Sequence, residues 1–332
     1  MAEHAVLSAS AAKRWLSCPP SARLEETFPE STSDYAEEGR YGHSLAELKI
    51  RHHINPTPKK KRDTELAKAR QDKWWTQDLE EAVDRYVDRV KELISEAGRD
   101  SVVLLEQRLD YSNWAPEGFG TGDCVIISGD GVCRVVDLKM GKGVPVSAVD
   151  NPQMRLYALG AYAEYDTLYD LREIRTMIVQ PRLDSESTEI LSISQLLDWG
   201  TDVVKPVAAT AFRGEGRFRP GEHCRFCKAK AQCRARADEN LSLARHDFKD
   251  PALLTTEEIA AVLATVDRLV SWAGDVKEYA LAQALAGAEL PGWKLVEGRS
   301  SRVISDPETV AATLEMEGVD GIYKEPVLRP LT

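Results

Sequence analysis

No stretch of the 332-residue chain approaches the roughly 18 uninterrupted apolar residues that a membrane-spanning helix needs. Its first residues lack the basic-then-apolar layout of a secretory leader, so the expectation is a cytoplasmic protein with no membrane partner. Absent too is any G-x-x-x-x-G-K-[ST] phosphate loop, which leaves ATP-driven motor chemistry to a separate partner. Internal repeats and low-complexity tracts are missing, which excludes solenoid and fibrous architectures. Net positive charge is lacking as well. Lys and Arg total 43 against 54 Asp and Glu, giving −11, so any binding to a polyanion has to be local. What remains is ordinary globular composition, 43% hydrophobic and 29% charged, enough to bury a core.

Cysteine is sparse but not scattered. Of the six, Cys224, Cys227 and Cys233 fall in one ten-residue stretch with C-x2-C-x5-C spacing, and Cys18 next to Pro19 offers a fourth thiolate from the other end of the chain. In a reducing compartment such spacing points to metal rather than to disulfides, and four thiolates suit either zinc or a [4Fe–4S] cluster. Spacing alone favours zinc. Cys124 and Cys133 lie in expected strands and read as small buried apolar residues. Two basic stretches stand out: Lys59-Lys60-Lys61-Arg62, read as a solvated surface, and residues 213–236, where eight Arg or Lys residues face only Glu215 and Glu222.

Helical patterns are expected at 8–16, stopped by Cys18-Pro19-Pro20, and at 35–51, carrying His43. After a Pro- and Lys-rich linker at 55–62 comes a long helix at 64–97, closed by Gly98. Strands follow at 102–109, 123–128 and 132–139, the last two flanking Gly129-Asp130-Gly131, a hairpin turn signal. A helix from Pro152 to about residue 165, a strand at 174–180 and a helix at 192–212 complete the order. Beyond residue 240, where a boundary is expected, the pattern gives a helix at 256–290, a strand-like piece at 293–304 and a helix at 306–317.

A three-residue hairpin loop would set Ser128 opposite Val132 and, counting five residues back along each strand, Asp123 opposite Asp137, whereas a two-residue loop would shift the register by one. Strand alternation then projects Lys139 from the same face as Asp137. Opposed carboxylates repel, and charges on an apolar strand are costly unless paired or bound to a cation. Carboxylate oxygens with open positions suit Mg²⁺ or Mn²⁺, and such a site can hydrolyse phosphodiesters.

Gly120-Thr121-Gly122-Asp123, Asp137-Leu138-Lys139 and Gln153-Met154-Arg155-Leu156-Tyr157 resemble the G-x-x-D, (D/E)-x-K and Q-x-x-x-Y motifs of RecB-family nucleases, within the PD-(D/E)xK superfamily. His43, in Gly39-Arg40-Tyr41-Gly42-His43, is similar to the upstream helical histidine of that branch. The resemblance, over residues 8–236, implies an α/β fold: a restriction-endonuclease-like core with a central mixed sheet flanked by helices. A smaller helical region, 241–332, would follow the nuclease domain, 1–240. It further implies that His43, Asp123, Asp137 and the Leu138 carbonyl hold Mg²⁺ or Mn²⁺, and that Lys139 is the catalytic lysine. Gln153 and Tyr157, at i and i+4, share one helix face toward the site or the DNA.

One N-terminal cysteine plus a C-terminal C-x2-C-x5-C is similar to the iron–sulfur staple of AddB-type and CRISPR-adaptation nucleases. That resemblance reverses the preference, implying that Cys18, Cys224, Cys227 and Cys233 hold a [4Fe–4S] cluster, with zinc the alternative. Arg217, Arg219 and Arg225 beside it are candidate DNA contacts. The implied activity is exonucleolytic, on single-stranded DNA or free ends, in a bacterial or phage recombination setting, with a helicase or recombination protein as possible companion. Two rivals stand: a non-catalytic DNA-end-binding or assembly module of the same fold, and a zinc-dependent structural adaptor.

Overall fold

The computed structural model describes residues 5–29, 33–242, 255–297 and 307–317. Two compact units divide the chain, Met1–Val276 and Lys277–Thr332. The boundary expected near residue 240 falls beside residues 243–254, outside the described set.

In the first unit a single 3₁₀ turn, Ala9–Ala11, leads into helices α1 (Ala12–Ser17) and α2 (Ser21–Glu26). Helices α3 (Asp34–Ile54), α4 (Lys59–Ala69) and α5 (Gln77–Ala97) precede the sheet. Five strands then pair in chain order: β1 (Val102–Asp110), β2 (Phe119–Ile127), β3 (Val132–Leu138), β4 (Glu173–Gln180) and β5 (Ser185–Ser192). Helix α6 (Pro152–Tyr169) links β3 to β4, which run parallel, as a crossover helix allows; the other neighbours are antiparallel. Helices α7 (Ile193–Trp199) and α8 (Lys205–Phe212) and the cysteine-bearing segment follow, then α9 (Arg234–Leu241) and α10 (Thr256–Leu263). Helix α11 (Val266–Leu285) crosses the unit boundary. In the second unit α12 (Pro307–Met316) corresponds to the helix expected at 306–317.

The sheet is the middle of three layers, because its pleat divides its apolar side chains between two cores. Val125, Ile127, Cys133 and Val135 pack toward α1, α6 and α8, whereas Cys124, Ile126, Val136 and Leu138 pack toward α3 and α5. Every residue of β3 is buried, as befits the central strand of a mixed sheet covered on both faces. Cys124 and Cys133 are both fully buried on opposite faces.

Local chemistry corrects several expectations. The helix read over 64–97 is two. Helix α4 begins at Lys59, inside the stretch read as linker, and stops at Ala69. Asp72 Oδ1 then accepts from the Trp74 N–H at 2.9 Å and Thr76 Oγ1 from the Leu79 N–H at 3.2 Å. Side-chain oxygens that satisfy backbone donors in this way end one helix and start the next. Strand β5, Ser-Glu-Ser-Thr-Glu-Ile-Leu-Ser, was not expected; as an edge strand it needs little apolar character. The helix expected over 192–212 contains a π-helical segment at Gly200–Val204, where Gly200 fits against the Trp114 ring. In the second unit residues 293–297 form no strand, and 298–304 lie outside the described residues. Among the described residues no helix is long and apolar enough to cross a membrane.

Candidate active site

The Gly129–Asp130–Gly131 loop closes as its chemistry demands. Gly131 takes φ +83°, open to glycine without strain, and the Ser128 N–H donates to the Val132 carbonyl at 3.0 Å. Cys124 therefore pairs with Val136, and the next positions along are Asp123 and Asp137. Asp123 is not left facing a bare carboxylate: its Oδ2 accepts from the Leu138 N–H at 2.7 Å and its Oδ1 lies 3.1 Å from His43 Nδ1. The imidazole reaches it because Gly42 brings α3 against Met140; a Cβ there would stand 3.0 Å from Met140 Cγ.

Asp137 is buried at the end of β3, and its Oδ2 lies 2.8 Å from Lys139 Nζ. Helix α6 supplies the rest. Asn151 caps it by accepting from the Gln153 N–H at 3.0 Å, with Pro152 preset in the first turn, so Gln153 projects from the helix start. Its Nε2 donates to Asp137 Oδ1 at 3.3 Å and to Tyr157 Oη at 3.2 Å, while its Oε1 accepts from Lys139 Nζ at 3.3 Å. One amide thus joins Asp137, Lys139 and Tyr157. Gly120 is required beneath it, because a Cβ at that position would lie 2.6 Å from Tyr157 Cε1.

A residue missed in the sequence completes the cluster. The pairs Leu105–Cys124 and Gln107–Gly122 bracket Glu106 and Asp123, so three acidic residues, Glu106, Asp123 and Asp137, stand abreast on β1, β2 and β3. Glu106 has φ +47°, a strained conformation for a non-glycine strand residue and of the kind that accumulates at functional sites. Ligand atoms of His43, Glu106 and Asp123 lie within 4.8 Å of one another. They line a small pocket with Glu47, Tyr86 and Leu138.

Electrostatics follow from this crowding. Lost hydration, then the Asp123 charge, push Glu106 up to about 7. Burial and Asp123 likewise raise Asp137 against the opposing pull of Lys139. Burial alone would lower His43 and Lys139, but the Asp123 hydrogen bond and the Asp137 charge, respectively, more than offset it, and both bases end above their ordinary values. Buried Tyr86 Oη has no hydrogen-bond partner, and Asp137 Oδ2 has only the Lys139 ion pair. Clustered carboxylates that repel, beside buried oxygens short of partners, form a donor set that suits a hard divalent cation.

Cys18, Cys224, Cys227 and Cys233 line one cavity, together with Arg14, Phe218 and His223. Two sulfurs receive backbone donors, Cys18 from the Arg219 N–H at 3.5 Å and Cys224 from the Gly221 N–H at 3.4 Å. Among the described residues no three of these sulfurs lie mutually within 4.8 Å. Burial pushes the Cys227 thiol up to about 12, so the thiolate needs a cation to persist there. The segment is also tied down by protein alone: buried Glu25 accepts from Arg14 Nε at 3.1 Å and from the Lys228 N–H at 2.8 Å. Arg217, Arg219 and Arg225 are exposed beside this cavity.

Comparison with known proteins places the chain in one family. A family model described as "Protein of unknown function (DUF2800)" matches residues 4–332. The chain belongs to the DUF2800 family. Among solved structures, the crystal structure of SSO0001 is similar at 12% identity and a TM-score of 0.27, with 65% of this DUF2800 chain and 95% of that chain covered. A likeness of that size carries no argument about activity.

Proposed function

We propose that this DUF2800 protein is a metal-dependent DNA nuclease on a PD-(D/E)xK core, acting as an exonuclease on free or single-stranded DNA ends. The observation that carries the reading is the Asp137–Lys139 pair at the end of the buried central strand, bridged by Gln153 to Tyr157. A buried ion pair costs several kcal/mol of desolvation per ion and is weak as a stabilising device. Held beside Asp123, Glu106 and His43, it reads as chemistry instead.

Asp123, Asp137 and His43, with the Leu138 carbonyl and Glu106, would hold Mg²⁺ or Mn²⁺. When bound, the ion supplies charge neutralisation at the scissile phosphate and a more acidic water. Lys139, kept protonated by Asp137, is placed to orient that water or to stabilise charge developing on the phosphate. Gln153 fixes the lysine and Asp137 relative to each other, and Tyr157 holds the amide from behind. The non-catalytic rival gives no physical reason to bring three acidic residues into register.

For the four cysteines we propose a [4Fe–4S] cluster. Backbone N–H donors at Cys18 and Cys224 suit thiolates bound to either metal, and the preference for the cluster over zinc rests on the resemblance of Cys18 plus C-x2-C-x5-C to iron–sulfur staples. The cluster's role would be to clamp Cys18 to the 224–233 segment. End-labelled DNA incubated with Mn²⁺, and in parallel with EDTA, tests the activity: metal-dependent shortening is expected, and intact DNA in both would overturn it.

A further inference from the structure

The cysteine segment carries two aromatic rings that stay exposed, Phe218 at the lip of the four-cysteine cavity and Phe226 outside its lining. Phe218 sits between Arg217 and Arg219, and Phe226 follows Arg225. Phe218 is 45% exposed and Phe226 71%, although burying either ring would stabilise the fold by about 1.5–3 kcal/mol. Arg225 holds its guanidinium 5.6 Å from the Phe226 ring centroid, and all three arginines are exposed. The described ion pairs give none of the three a carboxylate partner, whereas Arg213, Lys230 and Arg236 in the same segment are each paired.

The backbone beneath these rings is fixed. The Arg219 N–H donates to Cys18 Sγ, His223 Nε2 lies 2.9 Å from the Arg219 carbonyl, and the Cys227 N–H donates to the Cys224 carbonyl at 3.1 Å. Rings held out from a pinned backbone have little conformational freedom left to lose on binding. Arginines alone would answer to the phosphates of a duplex or a single strand alike. Exposed aromatic faces add something only for unstacked bases, which duplex DNA does not present.

We propose that Phe218 and Phe226, with Arg217, Arg219 and Arg225, form a base-stacking platform for single-stranded DNA. This deepens the nuclease reading and rests on it in one respect, that the strand held here is the strand delivered to Asp137 and Lys139. The connection is short. The turn and helix from Ala9 to Ser17 join the platform's anchor, Cys18, to the neighbourhood of Gly120, where an added Cβ would lie 3.4 Å from that of Ala9. Nine residues at helical rise span about 14 Å.

The test is fluorescence anisotropy of the full chain in EDTA, where no cleavage occurs, with a labelled oligothymidylate and a duplex of equal length. Phe226→Leu and Phe218→Leu keep apolar bulk but lose the ring. Each should weaken strand binding by about 5- to 160-fold, matching about 1–3 kcal/mol per stacked base, and leave duplex binding unchanged. Phe226→Tyr should retain wild-type affinity. Strand binding unaltered in both leucine variants, or strand and duplex weakened equally, would overturn the platform. The Mn²⁺ cleavage assay separates the two claims. Cleavage with normal strand binding in the leucine variants rejects the platform alone, and ring-dependent strand binding without cleavage rejects the nuclease alone.

Discussion

Glu80→Gln should destabilise the protein by an amount that depends on pH, because one buried carboxylate on α5 ties together α3, the end of α4 and the Trp75 loop. Glu80 accepts from Lys49 Nζ at 2.8 Å on α3, from Arg70 Nε and Nη2 at 2.9 Å each after α4, and from Trp75 Nε1 at 2.8 Å. Its side chain is 10% exposed. The Arg70 hydrogen bond, outweighing the penalty of burial and aided by Lys49 and Trp75, holds its pKa down from 4.5 to about 2. At about 1.4 kcal/mol per pH unit, that depression corresponds to about 3 kcal/mol at neutral pH. A carboxyl depressed in the folded state stabilises above its unfolded pKa, and the stabilisation is lost as pH falls from about 4.5 toward about 2. Urea unfolding of wild type and variant across this range should show a difference near 3 kcal/mol at pH 7 that shrinks toward zero at the acid end. A difference independent of pH, or below about 0.5 kcal/mol at pH 7, would refute the assignment of Glu80 as the charged tie between α3 and α5.

Gly120→Ala should cost about 1–3 kcal/mol in thermal unfolding, since its Cβ meets the Tyr157 ring at 2.6 Å; an unchanged melting temperature would show that the ring moves freely. Asp123→Asn and Glu106→Gln should keep the melting temperature in EDTA close to wild type while reducing the rise that Mn²⁺ produces, because each removes a repelling charge and a ligand together. A marked loss in EDTA for Asp123→Asn would make it chiefly an acceptor for the Leu138 N–H. Protein purified without oxygen should be brown, and alanine at Cys18, Cys224, Cys227 or Cys233 should bleach it and lower solubility, while alanine at Cys124 or Cys133 should leave the colour. Colourless protein with one stoichiometric zinc would promote the zinc reading and spare the nuclease.

The hairpin was legible because turn chemistry and period-2 alternation are local: Gly129, Asp130 and Gly131 fix the loop, and the loop fixes the register. Gln153 and Tyr157 were legible only through their resemblance to the Q-x-x-x-Y motif, although the helix start at Pro152 that aims them was a local signal. Glu106 was not, because its place opposite Asp123 depends on the pairing of β1 with β2, and the loop between Asp110 and Phe119 is too long to fix register from sequence. An acid directly after the apolar run Val102 to Leu105 was the available signal. The break between α4 and α5 was hidden by unbroken helical propensity on either side of Asp72 and Thr76, whose capping bonds decided the matter. Strand β5 escaped because an edge strand carrying Ser, Thr and Glu has no apolar run to announce it.

The central claim is that Lys139 and Asp137 carry phosphodiester hydrolysis. Its most direct test is the single-turnover rate of end-labelled DNA cleavage in Mn²⁺ for wild type, Lys139→Met and Asp137→Asn, each checked for folding by its unfolding transition. Loss of several kcal/mol of transition-state stabilisation predicts rates lower by orders of magnitude in both folded variants. Folded variants that cleave at the wild-type rate would contradict the account.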